Sequence, residues 1–281
     1  LDIGKLLINA GAKTNFKARG DATALIAAAR GGHYDFARML VENGADVNKK
    51  IRGDGAPLMM AAASGHYELT RYLLDKGAEV NEVSPGDGTA LILAVRNNRL
   101  DVVKLLIDNG ADPNLSSPGD DSPMIMASNS SNPDLMHLLI KNDMDVNKVV
   151  KGDGTALIIA SRKGDLEKVE HLVNRGADVN LGVEGDGNPL IAASSRGKVQ
   201  VMQFLLDNGA EVDMLVKGDE TPLIQAAGNG YMDAVKLLLS NNADINKSTY
   251  EGREFRSPLS MARKNGHSQV VDYLLENGAK K

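Results

Sequence analysis

Residues Thr155–Gly187 read TALIIASRKGDLEKVEHLVNRGADVNLGVEGDG, and this 33-residue pattern returns along the chain. The tetrapeptides that open it start at Thr23 (TALI), Ala56 (APLM), Thr89 (TALI), Ser122 (SPMI), Thr155 (TALI), Asn188 (NPLI) and Thr221 (TPLI), 33 residues apart at every step. An eighth, at Ser257 (SPLS), follows after 36. Steps this regular indicate a repeat architecture, in which each unit is one supersecondary element that buries its apolar face on its neighbours.

The columns of the repeat show what the fold requires. Five residues after each start the residue is always Ala: Ala28, Ala61, Ala94, Ala127, Ala160, Ala193, Ala226 and Ala262. Seventeen after, it is always Leu: Leu40, Leu73, Leu106, Leu139, Leu172, Leu205, Leu238 and Leu274. An obligatory Ala marks a close approach of two backbones, and an obligatory Leu a pocket rebuilt in every unit; both are packing signals. Each unit parses as two short helices. The first starts at a capping Thr, Ser or Asn, often with Pro at its first position (Pro57, Pro123, Pro189, Pro222, Pro258), and runs about two turns before a Gly. The second carries apolar residues at helical spacing, as in LEKVEHLV from Leu166 to Val173, and ends in Asn-Gly-Ala or a variant of it. An Asp-Val-Asn linker and a Gly-Asp-Gly turn lead to the next unit. No convincing strand is predicted.

A unit of the form T-A/P-L-x-x-A…G-H…L-L…N-G-A-D-V-N resembles the ankyrin repeat, and the resemblance covers the whole chain. It implies an all-α solenoid of eight helix–turn–helix units plus an N-terminal half-unit, forming one domain over residues 1–281. The half-unit spans 1–18, the 33-residue units run from about 19 to 251, and a C-terminal capping unit spans 252–281. The family implies a non-catalytic scaffold that binds another protein through its concave face and finger loops. The chain departs from the family in two ways. Ile, Met or Ser260 replaces the His of the opening tetrapeptide (Ile26, Met59, Ile92, Ile125, Ile158, Ile191, Ile224), and Gly-Asp-Gly replaces the usual Asp-x-x-Gly of the finger. Such units are similar to bacterial ankyrin arrays, including those appended to membrane-embedded sensor-type zinc peptidases. That likeness implies an alternative: a regulatory or sensor part of a larger bacterial enzyme, membrane-anchored or not, whose catalytic part lies upstream of Leu1. No peptidase motif is present.

Composition excludes several classes. Among 281 residues there is no Cys, which removes disulfides, Cys-ligated zinc, iron–sulfur clusters and thiol nucleophiles. With 32 Lys+Arg against 37 Asp+Glu the net charge is −5, so no general attraction to nucleic acid is expected. Aromatics are only 4%, thin for one thick core but suited to narrow layers packed on Ala and Leu. The longest apolar run, Ala56–Ala63, is far below the ~20 residues of a membrane span. The opening LDIGKLLINAGAK lacks the basic start and long apolar stretch of a secretion signal. The expected compartment is cytoplasmic by default and extracytoplasmic if the segment belongs to a membrane-anchored parent. A monomer without cofactor or metal is expected.

The ends and the fourth unit are irregular. Arg263 stands where Ala29, Ala62, Val95, Ser128, Ser161, Ser194 and Ala227 stand elsewhere, which predicts a capping unit whose outer face meets water. Leu6, Leu7 and Ile8 read as a second helix without its first, so the natural protein is expected to continue upstream. In the fourth unit Ser131 and Asp143 replace the helix-break glycines and Met144 replaces Ala; Asn132-Pro133 reads as a cap and first helical residue. Drift in a tolerant array and a flexible joint both fit these changes.

Among the candidates for chemistry, the recurrent finger Asp (Asp21, Asp54, Asp87, Asp120, Asp153, Asp186, Asp219) reads as a turn residue. Carboxylates on layers ~9 Å apart cannot share an ion that needs ligands at ~2.3–2.6 Å. The Arg-Gly-Asp tripeptides at Arg19 and Arg52 read as by-products of that turn. His33, His66, His137, His171 and His267 form no ligand pair of metal spacing, and no nucleophile or phosphate-loop motif occurs. The better candidates are cations at the ends of the first helices (Arg30, Arg96, Arg162, Lys163, Arg196, Lys264) and at the finger tips (Arg19, Arg52, Lys151, Lys217, Arg253). As a stripe they predict an acidic or phosphorylated protein partner; cations near a helix C-terminus also complement its dipole without any ligand. The longer last finger, KSTYEGREFR from Lys247 to Arg256, offers Tyr250 and Phe255 as aromatic anchors. Alternatively, Phe255 plugs the C-terminal end.

Overall fold

The computed structural model describes all residues except 18–21, 52–54, 116–121, 143, 151, 252–253 and 281. It divides into two compact units, Leu1–Met144 and Asp145–Lys281. The division falls at the exit of the fourth repeat.

The first unit contains α1 (Asp2–Asn9), α2 (Ala24–Gly31), α3 (Tyr34–Glu42), α4 (Pro57–Ser64), α5 (Tyr67–Asp75), α6 (Ala90–Arg96), α7 (Leu100–Asp108), α8 (Pro123–Asn129) and α9 (Pro133–Lys141). The first helices α2, α4, α6 and α8 stack in chain order, and the second helices α3, α5, α7 and α9 form a layer behind them. The second unit repeats the scheme with first helices α10 (Ala156–Lys163), α12 (Pro189–Ser194), α14 (Pro222–Gly228) and α16 (Pro258–Lys264). Its second helices are α11 (Leu166–Asn174), α13 (Val199–Asp207), α15 (Met232–Ser240) and α17 (Ser268–Glu276). The all-α repeat solenoid read from the sequence is the architecture of these elements.

Capping sets the starts. Thr23, Thr89, Ser122, Thr155, Asn188, Thr221 and Ser257 each accept the N–H three residues on, at 2.8–3.2 Å, satisfying one of the orphan donors of a helix N-terminus. Ala56 has no side chain to do so. The breaks use the left-handed conformation, as at Gly164 (φ 78°) and Gly209 (φ 87°). Asn98 (φ 56°) and Asn242 (φ 64°) take the same role in two units. Asn132 restarts the fourth unit's second helix as its sequence suggests, accepting from the Asp134 N–H at 3.0 Å with Pro133 following.

Packing obeys the columns. Ala61, Ala94, Ala127, Ala160, Ala193, Ala226 and Ala262 are wholly buried, as are Leu73, Leu106, Leu139, Leu172, Leu205, Leu238 and Leu274. Arg263 is exposed whereas Ala29, Ala62, Val95, Ser128, Ser161, Ser194 and Ala227 at the same register are at most 1% exposed, the contrast expected of a capping unit. On α1, Ile3, Leu6 and Leu7 are exposed.

The expectation of no strand fails in one place. The three extra residues of the last finger let Thr249–Glu251 (β1) pair antiparallel with Glu254–Arg256 (β2), Tyr250 opposite Phe255. Regular fingers are too short for more than single bridges, such as Ser84 with Gly88 and Val183 with Gly187.

Candidate functional site

Two side-chain systems join neighbouring repeats, and they decide which polar residues remain available at the surface. The first is an asparagine clamp made from the Asn of the Asp-Val-Asn linker. Asn180 donates through Nδ2 to the Gly209 carbonyl at 3.0 Å and accepts the Glu211 N–H on Oδ1 at 2.8 Å. Asn15, Asn48, Asn81 and Asn147 make the same pair of bonds one repeat ahead. Sequence reading placed these residues in a linker; their recurrence every 33 residues was the signal of the clamp. The second system explains the repeated Gly-His slot. His66 Nε2 lies 3.2 Å from the Arg30 carbonyl and His267 Nε2 3.1 Å from that of Gly228; Arg99 donates to Ala63 at 3.3 Å from the same slot. In these three places the group at the start of a second helix meets an unsatisfied carbonyl at the end of the preceding repeat's first helix.

One finger aspartate also acts between repeats. Asp219 accepts the Gly187 N–H of the preceding finger at 3.1 Å. Burial pushes its carboxyl above the ordinary range; the N–H donors of Gly187 and Gly185 oppose this, and nearby Asp186 adds to it. The role is therefore wider than the turn alone. Among the described residues no group of three His, Asp or Glu side chains is arranged to hold a metal. Asp21, Asp54 and Asp120 lie outside the described residues.

The candidate cations divide by what they touch. Arg162, half-buried at the end of α10, reaches Asp186 of the next finger, 3.6 Å to its Oδ1 and 3.3 Å to its carbonyl oxygen. Lys217 pairs with Glu184 at 2.8 Å, and that bond raises the lysine's pKa. These two charges are answered within the chain. Arg30, exposed at the end of α2, points Nη2 at the Met60 sulfur, 3.7 Å away. Lys163 is exposed at the end of α10, its pKa lowered by desolvation and by the nearby Lys168 charge. Lys264 is exposed at the end of α16. Arg96 and Arg196 are exposed, and their side chains form no hydrogen bond or ion pair among the described residues. Arg19, Arg52, Lys151 and Arg253 lie outside the described residues, as do both Arg-Gly-Asp tripeptides.

At the last finger, Tyr250 is 72% and Phe255 49% exposed, their rings in edge contact with centroids 5.6 Å apart. Arg256 anchors the hairpin to the preceding finger through a 2.6 Å bond to Glu220, both side chains largely buried. Leu259 beneath the hairpin is buried, and the half-exposed Phe255 lines an open pocket beside it.

No helix among the described residues is long and apolar enough to cross a membrane. The family described as "Ankyrin repeats (3 copies)" matches the chain at residues 1–51, 51–117, 91–183, 123–215 and 190–281. A comparison with curated proteins finds no match, so the narrower likeness to peptidase-linked arrays gains no support. Repeats of the matching family are generally protein–protein interaction modules. With buried Ala and Leu columns, capped helix pairs and a family match running from one end to the other, the chain belongs to the ankyrin repeat family.

Proposed function

We propose that the chain is a non-catalytic protein-binding module that recognises an acidic surface through the ends of its first helices and its finger loops. The observation that carries this reading is Arg196. It is exposed beside α12, and Glu220, an acid of the next finger, is already engaged by Arg256 at 2.6 Å. Arg96, one register position earlier in its repeat, supplies a further exposed charge in the first unit, at the end of α6. The helix-dipole benefit of such a cation is only about 0.3–1 kcal/mol, and it does not require the guanidinium to stay uncommitted. Arg162 and Lys217 are already paired within the chain and rank below these two as contacts.

The test is quantitative affinity purification from the source cells with the full chain and with Arg96→Glu/Arg196→Glu. Specific retention of a protein by the wild type, weakened by salt and lost in the double variant, is the expected result. Retention unchanged by both salt and charge reversal rejects the basic contact; no specific retention rejects the binding role.

A further inference from the structure

The C-terminal end of the second unit carries a pocket of about 460 Å³ that the repeat scaffold does not use. Phe255 of β2 and the partly exposed Ile245, from the loop after α15, supply apolar surface, with the buried Leu259 of α16 at the floor. Arg263 and Lys280 stand at the rim, both exposed, and no acidic residue is among the described residues that line the pocket. Ser257 and Ser260 are already committed to each other through a reciprocal cap.

Two independent features hold this arrangement in place, and a third concerns its charge. The hairpin that presents Phe255 is fixed by Arg256 on Glu220 and by the ring of Tyr250. Lys280 is positioned by its backbone N–H, which donates to Asn246 Oδ1 at 2.8 Å. That bond is the clamp of the last repeat, reaching 34 residues ahead because the longer finger intervenes. Arg263 occupies a register held elsewhere by small buried residues and has no ion-pair partner among the described residues. The chain as a whole is acidic, net −5, so two cations facing one apolar hollow run against its average composition.

We infer that this pocket docks an acidic segment of a partner protein through one aliphatic anchor. The anchor side chain lies against Phe255 and Ile245, above the buried Leu259, and carboxylates flanking it pair with Arg263 and Lys280. Apolar burial supplies affinity and the two cations supply selection for acidic flanks, the division of labour usual in peptide grooves. The inference deepens the protein-binding reading and rests on it, but it uses a different surface from Arg96 and Arg196.

The experiment titrates the full, isotope-labelled chain with a terminally blocked peptide, Asp-Glu-Leu-Asp-Glu, and follows methyl resonances by NMR. Two control peptides replace its Leu with Ala or its acids with Asn and Gln. The expected result is saturable shifts at the Ile245 and Leu259 methyls in the sub-millimolar to millimolar range, at least tenfold weaker for either control. Arg263→Glu/Lys280→Glu, at two exposed positions, is expected to weaken binding at least tenfold while leaving the remaining spectrum unchanged. Phe255→Ala tests the wall and should weaken the Leu peptide more than the Ala peptide. Shifts confined to residues near Arg96 or Arg196 overturn the pocket assignment and leave the protein-binding role standing. Equal affinity for all three peptides, or no shift up to millimolar peptide, overturns it outright.

Discussion

Asp213 occupies an asparagine's place in the inter-repeat clamp, and replacing it should stabilise the protein. In the clamp one oxygen accepts an N–H and the amide nitrogen donates to a carbonyl 29 residues ahead, as from Asn180 to Gly209. Asp213 retains the first arm: its Oδ2 accepts the Asp244 N–H at 2.9 Å. The second arm is missing, because a carboxylate has no hydrogen to give. Its Oδ1 is buried without a partner, and the register places the Asn242 carbonyl, another acceptor, where Gly209 lies in the preceding clamp. Asp213→Asn supplies the absent donor. A satisfied hydrogen bond is worth about 0.5–1.5 kcal/mol, and relieving a buried unpaired acceptor adds about 1–3 kcal/mol. Against this, the Asp244 N–H loses a charged acceptor and about 1 kcal/mol with it. The balance is a gain of about 0.5–3.5 kcal/mol, centred near 2 kcal/mol.

Urea unfolding followed by far-UV circular dichroism should show a higher midpoint at unchanged slope, since no surface burial changes. In a unit the size of residues 145–281 the central value of that gain corresponds to a rise in melting temperature of roughly 3–8 °C. The reciprocal variant Asn180→Asp should lose about 1–3 kcal/mol by creating the same defect. An Asp213→Asn protein no more stable than wild type, alongside a destabilised Asn180→Asp, would refute the register argument at Asp213. A harmless Asn180→Asp would refute the clamp itself.

Other outcomes follow from the same comparison of equivalent positions. Ala56 is the one first-helix start without a capping side chain, so Ala56→Ser should gain about 1 kcal/mol in urea unfolding. Ser161 and Ser194 are wholly buried with unpartnered hydroxyls, whereas Ala29, Ala62 and Ala227 fill that register in other repeats. Ser161→Ala and Ser194→Ala should each stabilise by about 1 kcal/mol, while Ser128→Ala should not, because its hydroxyl donates to the Met124 carbonyl at 2.9 Å. The hydrogen bond from Lys50 holds the Glu82 carboxyl below its ordinary range. Its stabilisation is therefore present above the unfolded carboxylate pKa and disappears as pH falls through the folded one, and Glu82→Gln should flatten that acid limb of the stability–pH curve. Asp219 has the opposite sign: its raised folded pKa makes ionisation costly as pH rises from the unfolded value through the folded one. The stability of Asp219→Asn relative to wild type should therefore increase over that interval.

The fold was legible because its determinants recur at one spacing. Ala28 and Leu40 each have seven equivalents, Thr23 caps as its type predicts, and Arg263 marks the outer face by being too large and charged for an inner one. The interactions that decide surface chemistry were not legible in the same way, because each depends on two residues whose spacing is set by the step between repeats. Asn180 reaches 29 and 31 residues ahead, and Arg162 reaches 24 ahead to Asp186. Read down one column, residues 184 and 217 look like free variation between Glu and Lys; read across adjacent fingers, they are an ion pair 2.8 Å long. Charge alone therefore overcounts binding residues in a stacked array. A cation becomes a candidate only after the acids one repeat before and after it have been assigned. Under that criterion Lys217 and Arg162 rank behind, since each already has an acid within the chain. Arg96, Arg196, Arg263 and Lys280 remain, because no acid among the described residues pairs with them, and Glu220 of the finger after Arg196 already serves Arg256.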